Sequence, residues 1–458
     1  MIDLSMLARQ RFAIIGLGKS GLATAAALEK AGATILAWDD APARREEARR
    51  AGIACARPRV GGWRRLDGLV MSPGIAHTFP RPHPMAAAAR AAGVPIIGDI
   101  ELLARAAPEA RYVAVTGTNG KSTTTSLIGH LLRQSFKVSV GGNLGTPSLA
   151  LDALGDDGIY VLELSSYQLE TAPSLACDIA VLTNITPDHL DRHGGMAGYI
   201  EAKRRIFAHP KGLKIAIIGI DDPASCKLRE ELIGVGRRIV PISARVAVPG
   251  GVYCHDGILT DARGANPETI ADLRDIPTLP GAHNWQNAAA AYAAAASLGL
   301  SREAIVAGLR SFPGLKHRQE LVATIEGIRF VNDSKATNAD AAAKALVCYE
   351  HIYWIAGGRP KEGGIAPLTE LFPRIRHAFL IGEASEAFAR TLEGKVPFTR
   401  AGDLARAVAL AQALARRDRH RGAVVLLAPA CASFDQFANF EARGEAFAAL
   451  VRRLETAP

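Results

Sequence analysis

The stretch Thr116-Gly117-Thr118-Asn119-Gly120-Lys121-Ser122-Thr123 carries the most chemistry per residue. Two glycines let the backbone curl so that its N–H groups face an anion. Lys121 supplies a cation for β- and γ-phosphate oxygens, and the Ser122 hydroxyl suits Mg2+. The pattern is a shortened P-loop, GxxGKS, because Val115 stands where the longer form has a glycine. A second loop, Gly16-x-Gly18-x-x-Gly21, has the spacing that brings backbone close to a diphosphate at a helix N-terminus, and Asp39 ends the next apolar run. By itself it fits NAD, FAD, or a Rossmann-like domain that holds another ligand or none. A dehydrogenase does not need the P-loop, and a simple NTPase does not need the other loop. An ATP-driven ligase acting on a nucleotide-linked substrate uses both.

Charged residues stand in apolar places downstream. In IYVLELSS, Glu163 shares a strand face with Ile159 and Val161 and ends the run. A carboxylate there suits Mg2+, since open α/β sheets bind ligands at the carboxyl ends of their strands. His189 follows the next strand in TNITPDHLDRH, crowded by Asp188, Asp191 and His193; the turn suits a second metal or plain solvation. Lys203 falls near the centre of the apolar stripe Tyr199, Ile200, Ile206, Phe207 of a helix predicted over 198–209. A buried lysine loses its proton readily and leaves a neutral amine; the alternative is a snorkelling side chain. NDSKATN (332–338) places Asp333 and Lys335 at a strand end before a helix capped by Thr337 or Asn338, where a charged pair can reach ATP phosphates. GGRPKEGG (357–364) and PACASFDQFANFEARG (429–444) hold comparable positions, and glycines around Lys361 suit a loop that closes on a ligand.

The elements that must position these residues alternate along the chain. Strands are predicted at 12–16, 34–38, 68–71, 112–116, 160–164, 179–183, 214–219, 329–332, 353–356, 378–382 and 424–428, between Ala-rich helical stretches. Continuous apolar strands followed by helices imply parallel sheets covered on both faces. Breaks near 98–110 and 311–317 divide the chain into spans 1–99, 100–312 and 313–458, with a small β elaboration over 243–280. A length of 458 residues also suggests roughly three domains at about 150 residues each.

Composition is globular, at 48% hydrophobic and 22% charged residues, which excludes a disordered or fibrous chain. A formal charge of +9, spread without a Lys/Arg block, allows small polyanions as readily as nucleic acid. The Arg/His-rich end of 404–421 reads as a solvated helix face. The six cysteines form no CxxC pair, no apolar run reaches about 18 residues, and the N-terminus lacks a signal-peptide pattern. The expectation is a cytoplasmic monomer acting on small molecules, with neither nucleic acid nor membrane as partner.

Together, TGTNGKST, LELSSYQLE, TNITPDHLDRH, HNWQN (283–287), NDSKATN, the SPGI residues 72–75 and PACASFDQF resemble the Mur ligases, the ATP-dependent amide ligases of peptidoglycan precursor synthesis, in consistent order along the whole chain. The resemblance implies three α/β domains: a Rossmann-like UDP-binding domain, a central P-loop-type ATPase domain with a parallel sheet, and a Rossmann-like C-terminal domain. LELSSYQLE and PACASFDQF point to the branch that adds D-glutamate to UDP-N-acetylmuramoyl-L-alanine; the alternative is a Mur or folylpolyglutamate-type ligase for another amino acid. It implies Lys121, Glu163, His189 and Lys203 as catalytic. ATP contacts would be Gly117, Thr118, Asn119, Gly120, Lys121, Ser122, Thr123, Asn284, Arg318 and Asp333. The UDP-substrate would meet Lys19, Ser20, Asp39, Asp40, Ser72, Gly74, Asn143 and His189. D-glutamate would be framed by Lys335, Thr337, Lys361, Ser433 and Phe440. Two Mg2+ sites would draw on Ser122, Glu163, His189 and a carbamylated Lys203 (N6-carboxylysine). Lys19, Asp40 and Ala41 depart most from the family's expected UDP-side pattern.

Overall fold

In the computed structural model, which describes residues 2–58, 60–155, 157–209, 213–361 and 363–456, the strands form three sheets. The first is all parallel, in the order Thr34–Trp38, Arg11–Ile15, Gly68–Met71, Ile96–Ile97. The second has nine strands. Its heart is a parallel run of Ile239–Ser243, Ile215–Gly219, Ile179–Leu182, Arg111–Thr116, Ile159–Glu163 and Val138–Gly142. Val252–His255, Ile258–Asp261 and Glu268–Asp272 extend it at one edge; they are the β elaboration expected near 243–280, with antiparallel pairing among them. The third sheet runs Glu320–Ile325, Ile328–Asn332, Val424–Leu427, Ile352–Gly357, Ile375–Ile381, Phe398–Gly402, antiparallel only in its first pair.

The burial of these strands explains why they are parallel. Ile159–Glu163, Ile215–Gly219 and Ile352–Gly357 are buried at every position, so helices must cover both faces, and helical crossovers make neighbouring strands parallel. The chain packs as two compact units. One comprises residues 1–272 and 284–311, with the first two sheets; the other comprises 273–283 and 312–458, with the third. None of the six cysteines forms a disulfide. No helix among the described residues is long and apolar enough to cross a membrane.

Every predicted strand is present, shifted by a residue or so at most ends and by three at the start of Ile375–Ile381. The strands that sequence reasoning passed over include Val138–Gly142 and Phe398–Gly402. Each carries glycine and polar residues, and neither is a continuous apolar run. The 404–421 stretch is a helix over Leu404–Asp418 whose exposed Arg416 and Arg417 pair with Glu326 and Asp418.

Candidate active site

The P-loop follows the strand Arg111–Thr116 and opens the helix Lys121–Leu132, so the helix N-terminus turns its backbone N–H groups toward the end of the loop. Gly120 has φ 82°, and a Cβ there would sit 2.3 Å from Asn287 Oδ1, so the position excludes a side chain on two counts. The loop is pinned from outside itself. Asn184 accepts from the Thr118 N–H through its carbonyl at 2.9 Å and from the Asn119 N–H through its side chain at 2.9 Å. Thr183 Oγ1 donates to the Asn119 carbonyl at 2.7 Å. Thr124 Oγ1 donates to Asn287 Oδ1 at 3.1 Å, and Asn287 in turn donates to Asn284. Lys121 Nζ curls back onto the carbonyls of Gly117 and Thr118, at 3.0 and 2.8 Å, within its own loop.

Glu163 ends the neighbouring strand in register with Val115, one residue before the loop strand ends. It is 2% exposed, so a plainly solvated strand end is excluded. Its Oε1 accepts from Asn143 Nδ2 at 2.7 Å, while Oε2 is buried with no hydrogen-bond partner. An orphaned carboxylate oxygen in a protein interior is costly. A cation is the partner it lacks, and Ser122, nearly buried at the start of the adjacent helix, supplies a second hard oxygen. These residues therefore fit Mg2+.

Lys203 is 1% exposed in the helix Met196–Arg204. Its Nζ donates to the Gly117 carbonyl at 2.7 Å and lies 4.5 Å over the Tyr199 ring, whose hydroxyl meets Thr118 Oγ1 at 3.1 Å. Burial, and then the Lys121 charge, hold its pKa well below the ordinary lysine value. An amine whose proton is held less tightly than usual thus lies against the phosphate loop. His189 is exposed, at φ 50°, beside Asp188. An aromatic chain runs from it through Tyr167 and His193 to Tyr199, over which Lys203 lies.

Sequence reasoning passed over His193 as a partner. It is buried, meeting Glu170 Oε1 at 3.0 Å and Ser166 Oγ at 2.9 Å, and Glu170 Oε2 meets His77 at 2.9 Å. The two histidines outweigh burial and pull the Glu170 carboxyl down to about 2. Only the fold brings 77, 170 and 193 together; the one local signal was a glutamate ending a five-residue helix.

At the first sheet, Asp39 is already engaged, accepting from the N–H groups of Leu17 and Ala41 at 2.7 and 2.8 Å. Ser72 Oγ donates to the Gly16 carbonyl at 2.8 Å, and a Cβ on Gly21 would meet that carbonyl oxygen at 1.8 Å. A small cavity there is lined by Ser20, Gly21, Ser72 and Asp99. Lys19 is exposed; Asp40 binds His83 and Trp38, which lower its pKa. The Gly74 carbonyl accepts from Arg192, three residues after His189.

In the second unit, Asp333 is buried and its carboxyl is pushed up to about 7 by burial, while accepting from the Gln319 N–H; Arg318 beside it is exposed. Asn338, not Thr337, caps the following helix. Lys335 Nζ sits 3.8 Å over the Phe440 ring, Ser433 is buried and Lys361 is exposed; Glu362 of that loop lies outside the described residues.

A P-loop, a buried carboxylate with one oxygen unpartnered and a buried lysine bonded to that loop suit nucleotide chemistry, and the chain belongs to the Mur ligases. Residues 115–295 match the Mur ligase middle domain, and residues 317–431 match the Mur ligase glutamate ligase domain. The chain is 56% identical to the UDP-N-acetylmuramoylalanine–D-glutamate ligase of Rhodospirillum rubrum, across 99% of this chain and 97% of the relative. It is 55% identical to the protein of that name from Paramagnetospirillum magneticum, across 99% of each. Among solved structures, the UDP-N-acetylmuramate–alanine ligase MurC of Thermotoga maritima has TM-score 0.59 at 18% identity, covering 98% of this chain and 100% of that one. The MurF ligase of Thermotoga maritima in complex with ADP has TM-score 0.54 at 22% identity, covering 84% and 96%. These two likenesses concern the fold. The dehydrogenase alternative for the Gly16 loop falls away with this membership.

Proposed function

We propose that the chain joins D-glutamate to UDP-N-acetylmuramoyl-L-alanine in an ATP-dependent reaction, as a cytoplasmic monomer built of three domains that correspond to the three sheets. The observation that carries this reading is the identity of 56% with a ligase of that name over nearly the whole of both chains.

The residues suit the chemistry. An L-alanyl carboxylate oxygen attacks the γ-phosphorus of ATP, and the bond to the β,γ-bridging oxygen breaks, giving an acyl phosphate and ADP. The D-glutamate amine then attacks the acyl carbon and loses a proton. The tetrahedral intermediate expels phosphate and leaves the amide. Such transfer needs placement and charge neutralisation above all. Lys121, released from its own loop carbonyls, is the cation for the γ-phosphate; the amides of 117–123 cradle the phosphates, with Asn284, Arg318 and Asp333 around the rest of ATP. Ser122 and Glu163 would hold Mg2+, which when bound neutralises phosphate charge. Lys203 suits carbamylation, because only an unprotonated amine adds CO2, releasing a proton as the carbamate forms; that carboxylate, with His189, would hold a second metal ion and help neutralise phosphate charge. Lys19, Ser20, Asp39, Asp40, Ser72, Gly74 and Asn143 would serve the UDP-substrate.

The test is Mg2+-dependent phosphate release from ATP with UDP-N-acetylmuramoyl-L-alanine, run with D-glutamate, L-glutamate, meso-diaminopimelate or no amino acid. Release with D-glutamate alone is expected. Release only with another amino acid would move the substrate assignment, and none at all would overturn it.

A further inference from the structure

We propose that Arg443 is the positioning residue that assembles the D-glutamate pocket, by locking together the separate loops that carry Lys335, Thr337, Lys361, Ser433 and Phe440. The inference rests on the assignment of those five residues to the amino-acid site. Arg443 is 1% exposed, near the start of the helix Phe440–Thr456. Its guanidinium pairs with no carboxylate among the described residues and instead donates to four oxygens. Nε meets Ser334 Oγ at 3.0 Å, and Nη2 meets the carbonyls of Ser334 and Cys431 at 2.9 and 3.1 Å. Nη1 meets the Ala432 carbonyl at 3.4 Å. Ser334 Oγ donates onward to the Phe440 carbonyl at 2.8 Å. Ala432 also exchanges two backbone hydrogen bonds with Arg359, at 2.9 and 3.1 Å, two residues before Lys361. A Cβ on Gly358 would lie 2.3 Å from the Ala432 oxygen and 3.2 Å from Arg443 Nη1, so that loop is pressed against the same group.

Burial of an arginine without a counter-ion costs free energy, which the four hydrogen bonds only partly offset. Stability alone would favour an apolar side chain here. What the planar fork provides is geometry, since one group fixes two loops and, through Ala432, a third. Each carbonyl drawn to the guanidinium turns the N–H of the same trans peptide the other way. The N–H groups of Ala432 and Ser433 are therefore directed away from the cation. A fixed positive charge beneath the loops is also complementary to a substrate with two carboxylates.

The test compares Arg443→Lys and Ser334→Ala with wild type, reading KM for D-glutamate, for UDP-N-acetylmuramoyl-L-alanine and for ATP, with the thermal midpoint of each. Arg443→Lys should raise the D-glutamate KM about tenfold or more and leave the other two within about twofold, because a lysine cannot reproduce the fork. Ser334→Ala should move the same constant about threefold, and the double variant should be less than additive. An unchanged D-glutamate KM in Arg443→Lys, or equal shifts of all three constants with a lowered midpoint, would overturn the proposal. Should Arg443→Lys not fold, an unchanged D-glutamate KM in Ser334→Ala overturns it. Wild type without D-glutamate-dependent turnover would instead remove the pocket assignment beneath it.

Discussion

The phosphate loop and the proposed glutamate pocket place charge in opposite ways. The first is written in eight consecutive residues, and its cation and hydroxyl come from adjacent positions, Lys121 and Ser122. Its geometry follows from one strand, one turn and one helix start, so neighbours such as Asn184 and Thr183 only steady it. The second is gathered from loops near 335, 361 and 433 and a helix start at 440, and no local rule fixes their spacing. A buried arginine supplies the missing constraint. A site within one turn can tolerate loss of a neighbour; a site assembled from separate loops depends on whatever ties them.

Lys121→Ala is the hardest blow to the first region. Phosphate release should fall about 1000-fold or more, because the loop loses its only lysine. A loss below tenfold would place the phosphate cation elsewhere. Next comes Lys203→Ala, expected to lower turnover by about 100-fold. High bicarbonate should not restore it, whereas a small carboxylate such as acetate should restore part; full activity would remove the carbamate assignment.

Asp333→Asn sharpens the contrast through stability. Burial raises its carboxyl from 3.8 to about 7. Between those values the folded protein holds a proton that the unfolded chain has lost, so stability falls as pH rises through the window. Asparagine removes that slope. The ligand-free variant should therefore gain on wild type between pH 5 and pH 8, by an amount on the order of 2–4 kcal/mol. A difference in melting behaviour that does not change with pH would contradict it. The smallest effect is that of Gly21→Ala, whose Cβ would fall 1.8 Å from the Gly16 carbonyl oxygen. It should cost about 1–3 kcal/mol by overpacking and weaken the UDP-substrate more than ATP, as read by thermal melts and the two KM values.

The same contrast explains what the sequence made legible. Helical periodicity picked out Lys203, and the structure buries it. The identical argument was open for Arg443, four and eight residues before the buried Phe447 and Val451, but a basic residue in a helix passes easily for a surface one. Glu163 was legible because an apolar strand ended on it. His193 bonded to Glu170 was not, since the contact spans 23 residues and a turn that reads as polar. Asp39 was read as a ligand contact, yet it also braces its own loop by accepting from Leu17 and Ala41.

The most direct test of the ligase account follows an oxygen atom. UDP-N-acetylmuramoyl-L-alanine carrying 18O in its alanyl carboxylate is turned over with ATP and D-glutamate, and the released phosphate is weighed by mass spectrometry. Attack of that carboxylate on the γ-phosphorus predicts one 18O transferred to phosphate for each amide formed. Unlabelled phosphate alongside amide formation would mean that no acyl phosphate forms, and would contradict the mechanism assigned to this site.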